Sequence, residues 1–210
     1  MLRLVGLFVM TLGCSSLPGL AQDVRITQDI DTRSITLNGT DIMIGRIQDP
    51  DHRLEGEFTR TSRPCPPFCI TPMVLAPGLA TLGELEVIDF LENQVATGEG
   101  LLLDSRLPEF FVKGTIPGAV NLPFATLDPT NPYRDDILRA LGAVNTGGGW
   151  DFATAKTLAV FCNGAWCDQA PRAVRHLLAA GYPVDKLRYY RGGMQAWLQL
   201  GLTTHIPTEG

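Results

Sequence analysis

Thr157-Leu-Ala-Val-Phe-Cys-Asn-Gly-Ala-Trp-Cys-Asp-Gln-Ala-Pro-Arg-Ala-Val174 joins an apolar run, a cysteine, a short loop and the start of an amphipathic segment without a break. Leu158 to Cys162 shows no polar alternation, as expected of a strand covered on both faces. Beyond the loop, Ala170, Val174, Leu177, Leu178 and Gly181 share one helical face, with Arg172, Arg175 and His176 opposite. This spacing predicts a helix over 168–180, with Asp168 as N-cap, Pro171 in the first turn and Gly181-Tyr-Pro as the exit. Between strand and helix, Asn163, Gly164, Ala165, Trp166 and Cys167 must curl tightly. Their amides and the positive helix end should converge on the Cys162 sulfur and favour its thiolate, or an anion bound to it.

Working outward, short apolar strands at 101–104, 119–122, 158–162 and 187–190 alternate with helical patterns near 133–141, 168–180 and 194–200. An α/β fold follows, with a parallel sheet covered by helices on both faces. Thr81-Leu-Gly-Glu84 resembles a capping box, and Leu82, Leu85, Ile88 and Leu91 give a helical face, so a helix is expected over 82–94. Gly147-Gly-Gly is expected to be loop. From Gln22 to about Pro64 the chain is polar, and Ser34 to Gly45 suggests a hairpin turning at Asn38-Gly39. The expected organisation is therefore 1–21 as a signal peptide, 22–80 as an N-terminal extension and 81–205 as the main domain.

Three ordered stretches give this chain a resemblance to the rhodanese family of sulfurtransferases. Leu101-Leu-Leu-Asp-Ser-Arg-Leu-Pro-Glu-Phe-Phe-Val-Lys-Gly-Thr-Ile-Pro-Gly-Ala is similar to the family's first signature, the Cys162 loop to its active loop, and Arg191-Gly-Gly-Met-Gln-Ala-Trp to its closing motif. The resemblance covers about Thr81 to Leu202. It departs at Thr115, where a His is common, and in the loop, which carries no Lys or Arg. It implies a rhodanese-like fold and a Cys162 thiolate that takes sulfane sulfur from a donor, holds it as a persulfide and yields it to a thiophilic acceptor. Backbone amides of the loop would stabilise the anionic sulfur. With no cation in the loop, a persulfide, polysulfide or protein thiol suits the site better than thiosulfate. The chemistry needs no cofactor.

Other thiol chemistries meet specific objections. Phosphate-ester cleavage on a similar loop needs an arginine six positions after the cysteine, and Asp168 stands there, repelling phosphate. Cys167 is either a resolving thiol able to attack a Cys162 persulfide or a packing residue at the helix start. Trp166 walls the site or packs over the helix. Asp104 and Arg106 are expected to brace loops at the C-terminal sheet edge, and Gly192 and Gly193 to permit close approach beside the active loop. A non-catalytic docking or redox-sensitive module with a Cys162–Cys167 disulfide is the alternative.

Arg3, the apolar run Leu4 to Leu12 and the small residues Gly19 and Ala21 read as a secretory signal cleaved after Ala21, giving a periplasmic or secreted protein. Thr11-Leu-Gly-Cys14 also permits lipidation at Cys14. Removing residues 1–21 takes Arg3 from the 17 basic residues and none of the 22 acidic ones, leaving 16 against 22 and a net charge of −6. Such a balance offers nothing to nucleic acid, and no other segment reaches the length of a membrane span. The partners expected are a small sulfur donor or protein persulfide and a periplasmic redox protein. In an oxidising compartment Cys65-Pro-Pro-Phe-Cys69 is a structural disulfide in a tight turn, or a pair that exchanges sulfur with Cys162. His52, His176 and His205 have no metal spacing and are expected at the surface, and the Cys gaps fit zinc poorly.

Overall fold

The computed structural model describes residues 23–37 and 39–207. The signal segment, its cleavage point, Cys14 and the hairpin's Asn38 lie outside the described residues. In chain order the elements are β1 (Arg33–Leu37), β2 (Thr40–Ile44), β3 (Ala80–Leu82), α1 (Glu84–Phe90), β4 (Gly100–Asp104), α2 (Pro108–Phe111) and β5 (Ala119–Asn121). Then follow α3 (Arg134–Ala140), β6 (Val144–Asn145), β7 (Trp150–Asp151), β8 (Thr157–Phe161), α4 (Gln169–Ala179), β9 (Leu187–Tyr190) and α5 (Gly193–Gln199).

The main sheet runs β3-β9-β8-β4-β5, every neighbouring pair parallel, and each strand alternates its side chains between two cores. Leu103, Leu158, Val160 and Tyr189 face α4, which returns Ala170, Ala173, Val174 and Leu177. Leu102, Ala159, Phe161 and Tyr190 face α1 and α5, with Val87, Ile88, Met194 and Trp197. Burying a side chain such as Leu177 contributes about 1.5–3 kcal/mol, so these two faces fix the strand order. They also leave the strand ends, and the loop after β8, at one edge of the sheet, where open parallel sheets bind ligands.

The polar extension is tied into the second core. The β1–β2 hairpin forms as its alternation suggests, antiparallel with Leu37 opposite Thr40, and sends Ile35 and Ile44 into the apolar cluster beneath α1 and α5. Past it, Gly45 and Thr203 exchange hydrogen bonds, and the Ile47 amide donates to the Gly201 carbonyl at 2.7 Å.

Two expectations change, the cap at Thr81 and the course of the first helix, while the glycine run is loop as expected. Thr81 does not cap a helix: Ala80–Leu82 pairs with β9 as the sheet's edge strand, and Gly83 precedes α1. The Glu86 carboxylate accepts the Gly83 amide at 3.0 Å, so the acidic half of the cap is supplied two residues later than Glu84. The helix continues from α1 through a wider turn at Leu91–Val95, where the Ala96 amide reaches the Leu91 carbonyl. Gly147-Gly-Gly149 lies in the turn of a two-residue ribbon, β6 against β7.

Candidate functional site

The loop from Cys162 to Asp168 is held from below by α5. The Met194 amide donates to the Cys162 carbonyl at 3.0 Å, and the Gln195 amide to the Asn163 carbonyl at 2.9 Å. That approach is open only to glycine at 193, where φ is +56° and an added Cβ would lie 2.3 Å from the Cys162 carbonyl oxygen. Gly192 is also crowded, its Cβ position falling 2.9 Å from the Tyr190 ring. The loop closes on itself where the Cys167 amide donates to the Gly164 carbonyl at 2.9 Å. Asp168 occupies the position before α4, but its backbone is already helical and its carboxylate makes no capping hydrogen bond.

Both loop cysteines are free thiols, so the disulfide of the alternative reading is not formed. Cys162 is 2% exposed, and its Sγ lies 3.3 Å from the Cys167 carbonyl oxygen and within hydrogen-bonding reach of the Cys167 thiol. At Cys162 burial works against the thiolate that the loop amides were expected to favour. Burial pushes the Cys162 thiol well above its ordinary value, and Cys167 reinforces this; the amides of Ala170 and Gly164 pull the other way without prevailing. Cys167 moves in the opposite direction: the hydrogen bond from Cys162 lowers it, helped by the amides of Asn163 and Gln169, against its own burial. The loop thus cradles two sulfurs whose ionisations are linked, so that each thiol alters the charge the other can carry.

A strap, residues 57–71, lies over this loop. The Thr71 amide and hydroxyl both donate to the Ala165 carbonyl, at 2.8 and 2.9 Å. With its hydroxyl proton spent there, Thr71 Oγ1 accepts from the Tyr189 hydroxyl at 3.1 Å. The Thr71 carbonyl accepts from Arg191 Nε at 3.0 Å. Gln195 bridges the two segments, donating to the Phe58 carbonyl at 3.2 Å and accepting the Trp166 indole N–H. Cys65 and Cys69 are joined as a disulfide with Cα atoms 4.7 Å apart, and the Cys65–Pro66 and Pro66–Pro67 bonds are cis. This closed turn presents Phe68 edge-on to Trp166, ring centroids 5.8 Å apart. Arg63 lies over the Trp166 ring at 3.8 Å with its side chain 3% exposed. Such a desolvated cation on an indole contributes on the order of 2 kcal/mol. Trp166 therefore both walls the site and packs, under the strap instead of over the helix.

Two cavities flank Trp166. One, of about 470 Å³, includes Phe58, Arg106, Lys113, Asn163 and Met194. The other, of about 420 Å³, lies between the strap and the start of α4 and includes Arg60, Arg63, Phe68, Cys167, Asp168 and Arg172. Cys162 lines neither, and Cys167 lines the second.

Asp104 and Arg106 form a buried bidentate pair, Nε to Oδ1 at 2.8 Å and Nη2 to Oδ2 at 2.6 Å. Arg106 Nη2 also holds the Gly114 carbonyl at 2.7 Å, and the Thr115 hydroxyl donates to Asp104 Oδ2 at 2.8 Å. These contacts lock the turn after α2 to the end of β4. His52 and His205 are exposed, whereas His176 is half-buried with Nε2 3.9 Å from Asp128 Oδ2. Among the described residues no cluster of His, Cys, Asp and Glu could hold a metal ion. The cations near the loop that sequence reasoning missed are Arg60, Arg63 and Arg172. The first two come from about a hundred residues upstream, and only the run of three arginines within Arg60-Thr-Ser-Arg63 and Arg53 hinted at them.

Residues 87–200 match the rhodanese-like domain family, and the chain belongs to that family. Over 105 residues it is 36% identical to the HTH-type transcriptional regulator Rv0324 of Mycobacterium tuberculosis, a match covering 50% of this chain and 37% of that protein. The chain thus spans little more than a third of that curated relative's length. Similar solved structures include RPA3614 of Rhodopseudomonas palustris, a protein of unknown function (20% identity, 60% of this chain and 85% of that one, TM-score 0.44). The human single-domain sulfurtransferase TSTD1 is another (24% identity, 59% and 97%, TM-score 0.39). Among the described residues no helix is long and apolar enough to cross a membrane.

Proposed function

We propose that the protein is a sulfurtransferase that carries sulfane sulfur on Cys162, with Cys167 as its proton acceptor. The observation that carries this reading is the loop geometry: Cys162 stands just after the end of β8 with its thiol donating to the Cys167 carbonyl at 3.3 Å, and Cys167 shares the same turn, closed by its amide on the Gly164 carbonyl. Cys162 passes its proton to the Cys167 thiolate, and the new Cys162 thiolate attacks the donor's outer sulfur. The donor's sulfur–sulfur bond breaks, its remainder leaves with the bonding pair, and Cys162 holds a persulfide. The amides near the loop, those of Gly164 and Ala170 among them, offset the added negative charge. A thiophile then attacks the outer sulfur, and the Cys162 thiolate leaves.

Contact between the two thiols favours a second outcome of the same intermediate. Cys167 attacks Cys162 Sγ, HS⁻ departs, and a Cys162–Cys167 disulfide remains for a dithiol reductant to reopen. The reading of Met1–Ala21 as an export signal suits both this partner and the closed Cys65–Cys69 bridge, since each belongs in an oxidising compartment. Intact mass after incubation with sulfur donors tests the assignment. Cys167→Ser should gain the mass of one sulfur, the wild type should either gain it or lose two hydrogens as the disulfide closes, and Cys162→Ser should gain none; sulfur retained by Cys162→Ser would overturn it.

A further inference from the structure

The loop's own lack of a cation contrasts with what surrounds it. Three guanidinium groups line the cavity beside Cys167: Arg60 and Arg63 from the strap, and Arg172 from the first turn of α4. Two carboxylates line it as well, Glu57 and Asp168. Glu57 is engaged by Arg63, 3.5 Å from Nη1, and its backbone carbonyl takes Nη2 at 2.5 Å. Arg60 and Arg172 form no ion pair and no side-chain hydrogen bond among the described residues, although Arg172 lies over the Phe124 ring at 4.3 Å. Asp128, the next acid beyond Arg172, is held by the Thr130 hydroxyl at 2.6 Å. The cavity wall therefore carries three positive charges against two negative ones, with two of the cations unpaired.

Two further atoms point to a ligand. Arg63 Nε and Asn163 Oδ1 are buried with no hydrogen-bond partner among the described residues; Arg63 lines this cavity alone, and Asn163 lines both it and its neighbour across Trp166. An unmet donor and an unmet acceptor beside a thiol are expensive to keep unless something polar completes them. The rest of the wall is aromatic, from Phe68, Phe110, Phe124 and Trp166. At about 420 Å³ the space is large for a small inorganic anion and suits one bearing an apolar body.

We propose that this cavity binds an organic anion beside Cys167, with Arg60 and Arg172 gripping its charged group and the aromatic wall taking its body. Reading that anion as the sulfur donor rests on the sulfurtransferase proposal, since Cys167 lines the cavity and Cys162 does not, but the binding itself does not require turnover. It also replaces the expectation that the site has no cation for an anionic donor. The cations are supplied from the extension and the helix, outside the loop itself.

The test uses benzenesulfonate, which keeps ring and charge but has no sulfur to transfer, titrated calorimetrically into the full protein. Sulfate supplies charge without a ring, and benzenesulfonamide a ring without charge. Benzenesulfonate should bind at least about tenfold tighter than either, and Arg172→Gln or Arg60→Gln should each weaken it about tenfold, the scale of one charge-assisted contact. Arg172→Lys, which keeps the charge but loses the fork, should fall between. Arg175→Gln, on the exposed side of α4, should bind as the wild type does. Unchanged thermal unfolding of the variants shows that binding, not folding, was altered. Equal affinity for the sulfonamide, absence of benzenesulfonate binding, or indifference to both arginine changes would overturn the proposal. Benzenethiosulfonate, the transferable counterpart, separates the two readings. A protein that binds benzenesulfonate through the arginines yet gains no sulfur refutes the transfer and keeps the pocket. Sulfur gain with no arginine dependence does the reverse.

Discussion

Replacing Gly193 by Ala should damage the active loop through the backbone alone. The residue sits at φ +56°, where a side chain costs about 1–2 kcal/mol. The added Cβ would stand 2.3 Å from the Cys162 carbonyl oxygen and 2.7 Å from the Gly164 nitrogen, both backbone atoms that no rotamer change can move aside. Relieving such an overlap by shifting the loop costs about 1–3 kcal/mol. The shift also pulls on the Met194-to-Cys162 and Gln195-to-Asn163 hydrogen bonds, each contributing about 1 kcal/mol. The expected loss is about 4 kcal/mol, read as a lower denaturation midpoint with an unchanged slope and a melting temperature lower by roughly 10 °C. Because the strain falls on the loop, alkylation of Cys162 should accelerate in the folded variant. A loss under about 1 kcal/mol with unaltered thiol reactivity would refute the claim that the start of α5 is wedged under the loop.

Other outcomes follow from the thiols and the strap. Alkylation follows the thiolate, so Cys167, with its lowered value, should react at a pH below that of an ordinary thiol. Cys162 should stay protonated and unreactive until well above it, and peptide mapping across a pH series checks the order. Cys162→Ala should return Cys167 toward ordinary behaviour by removing its principal hydrogen-bond donor; an unchanged pH profile would refute that coupling. Cys65→Ser with Cys69→Ser should cost about 2 kcal/mol, the loop-closure value for so short a ring, and should expose Trp166 to iodide quenching by loosening Phe68 and Arg63. Quenching no greater than in the wild type would show that the disulfide does not hold the strap. Asp168→Arg adds a fourth guanidinium to the cavity wall and should tighten benzenesulfonate several-fold, whereas no change would mean that residue 168 points away from the bound anion.

The central sheet was legible because two of its inner strands carry unbroken apolar runs, Leu101–Leu103 and Leu158–Phe161, as strands covered on both faces do. Leu187–Tyr190 matches its predicted bounds fully, and α3, α4 and α5 differ only at their ends. Ala80–Leu82 was hidden by its length: three residues carry no period, and Thr81 and Glu84 mimicked a cap. The placement of Cys162 at a strand end was equally plain, but the ionisation order of the two thiols was not, since spacing does not reveal which sulfur loses its water. The strap was the least legible. Its contacts with the loop, Thr71 to Ala165 and Phe58 to Gln195, join residues 94 and 137 positions apart, and no local pattern encodes such a meeting.

The strap adds cations beside the loop from a part of the chain that the loop motif does not include. The family match begins at Val87, inside α1, so the segment bearing Arg60 and Arg63 lies wholly before it. Arg60 is exposed, and neither arginine belongs to the two apolar cores. Arg60, whose side chain makes no hydrogen bond among the described residues, can be changed without breaking a contact to the loop, whereas Phe58, Arg63 and Thr71 touch Gln195, Trp166 and Ala165. A chain cut to start at Val87 would lose those cations together with the edge strand and the hairpin that covers the second core.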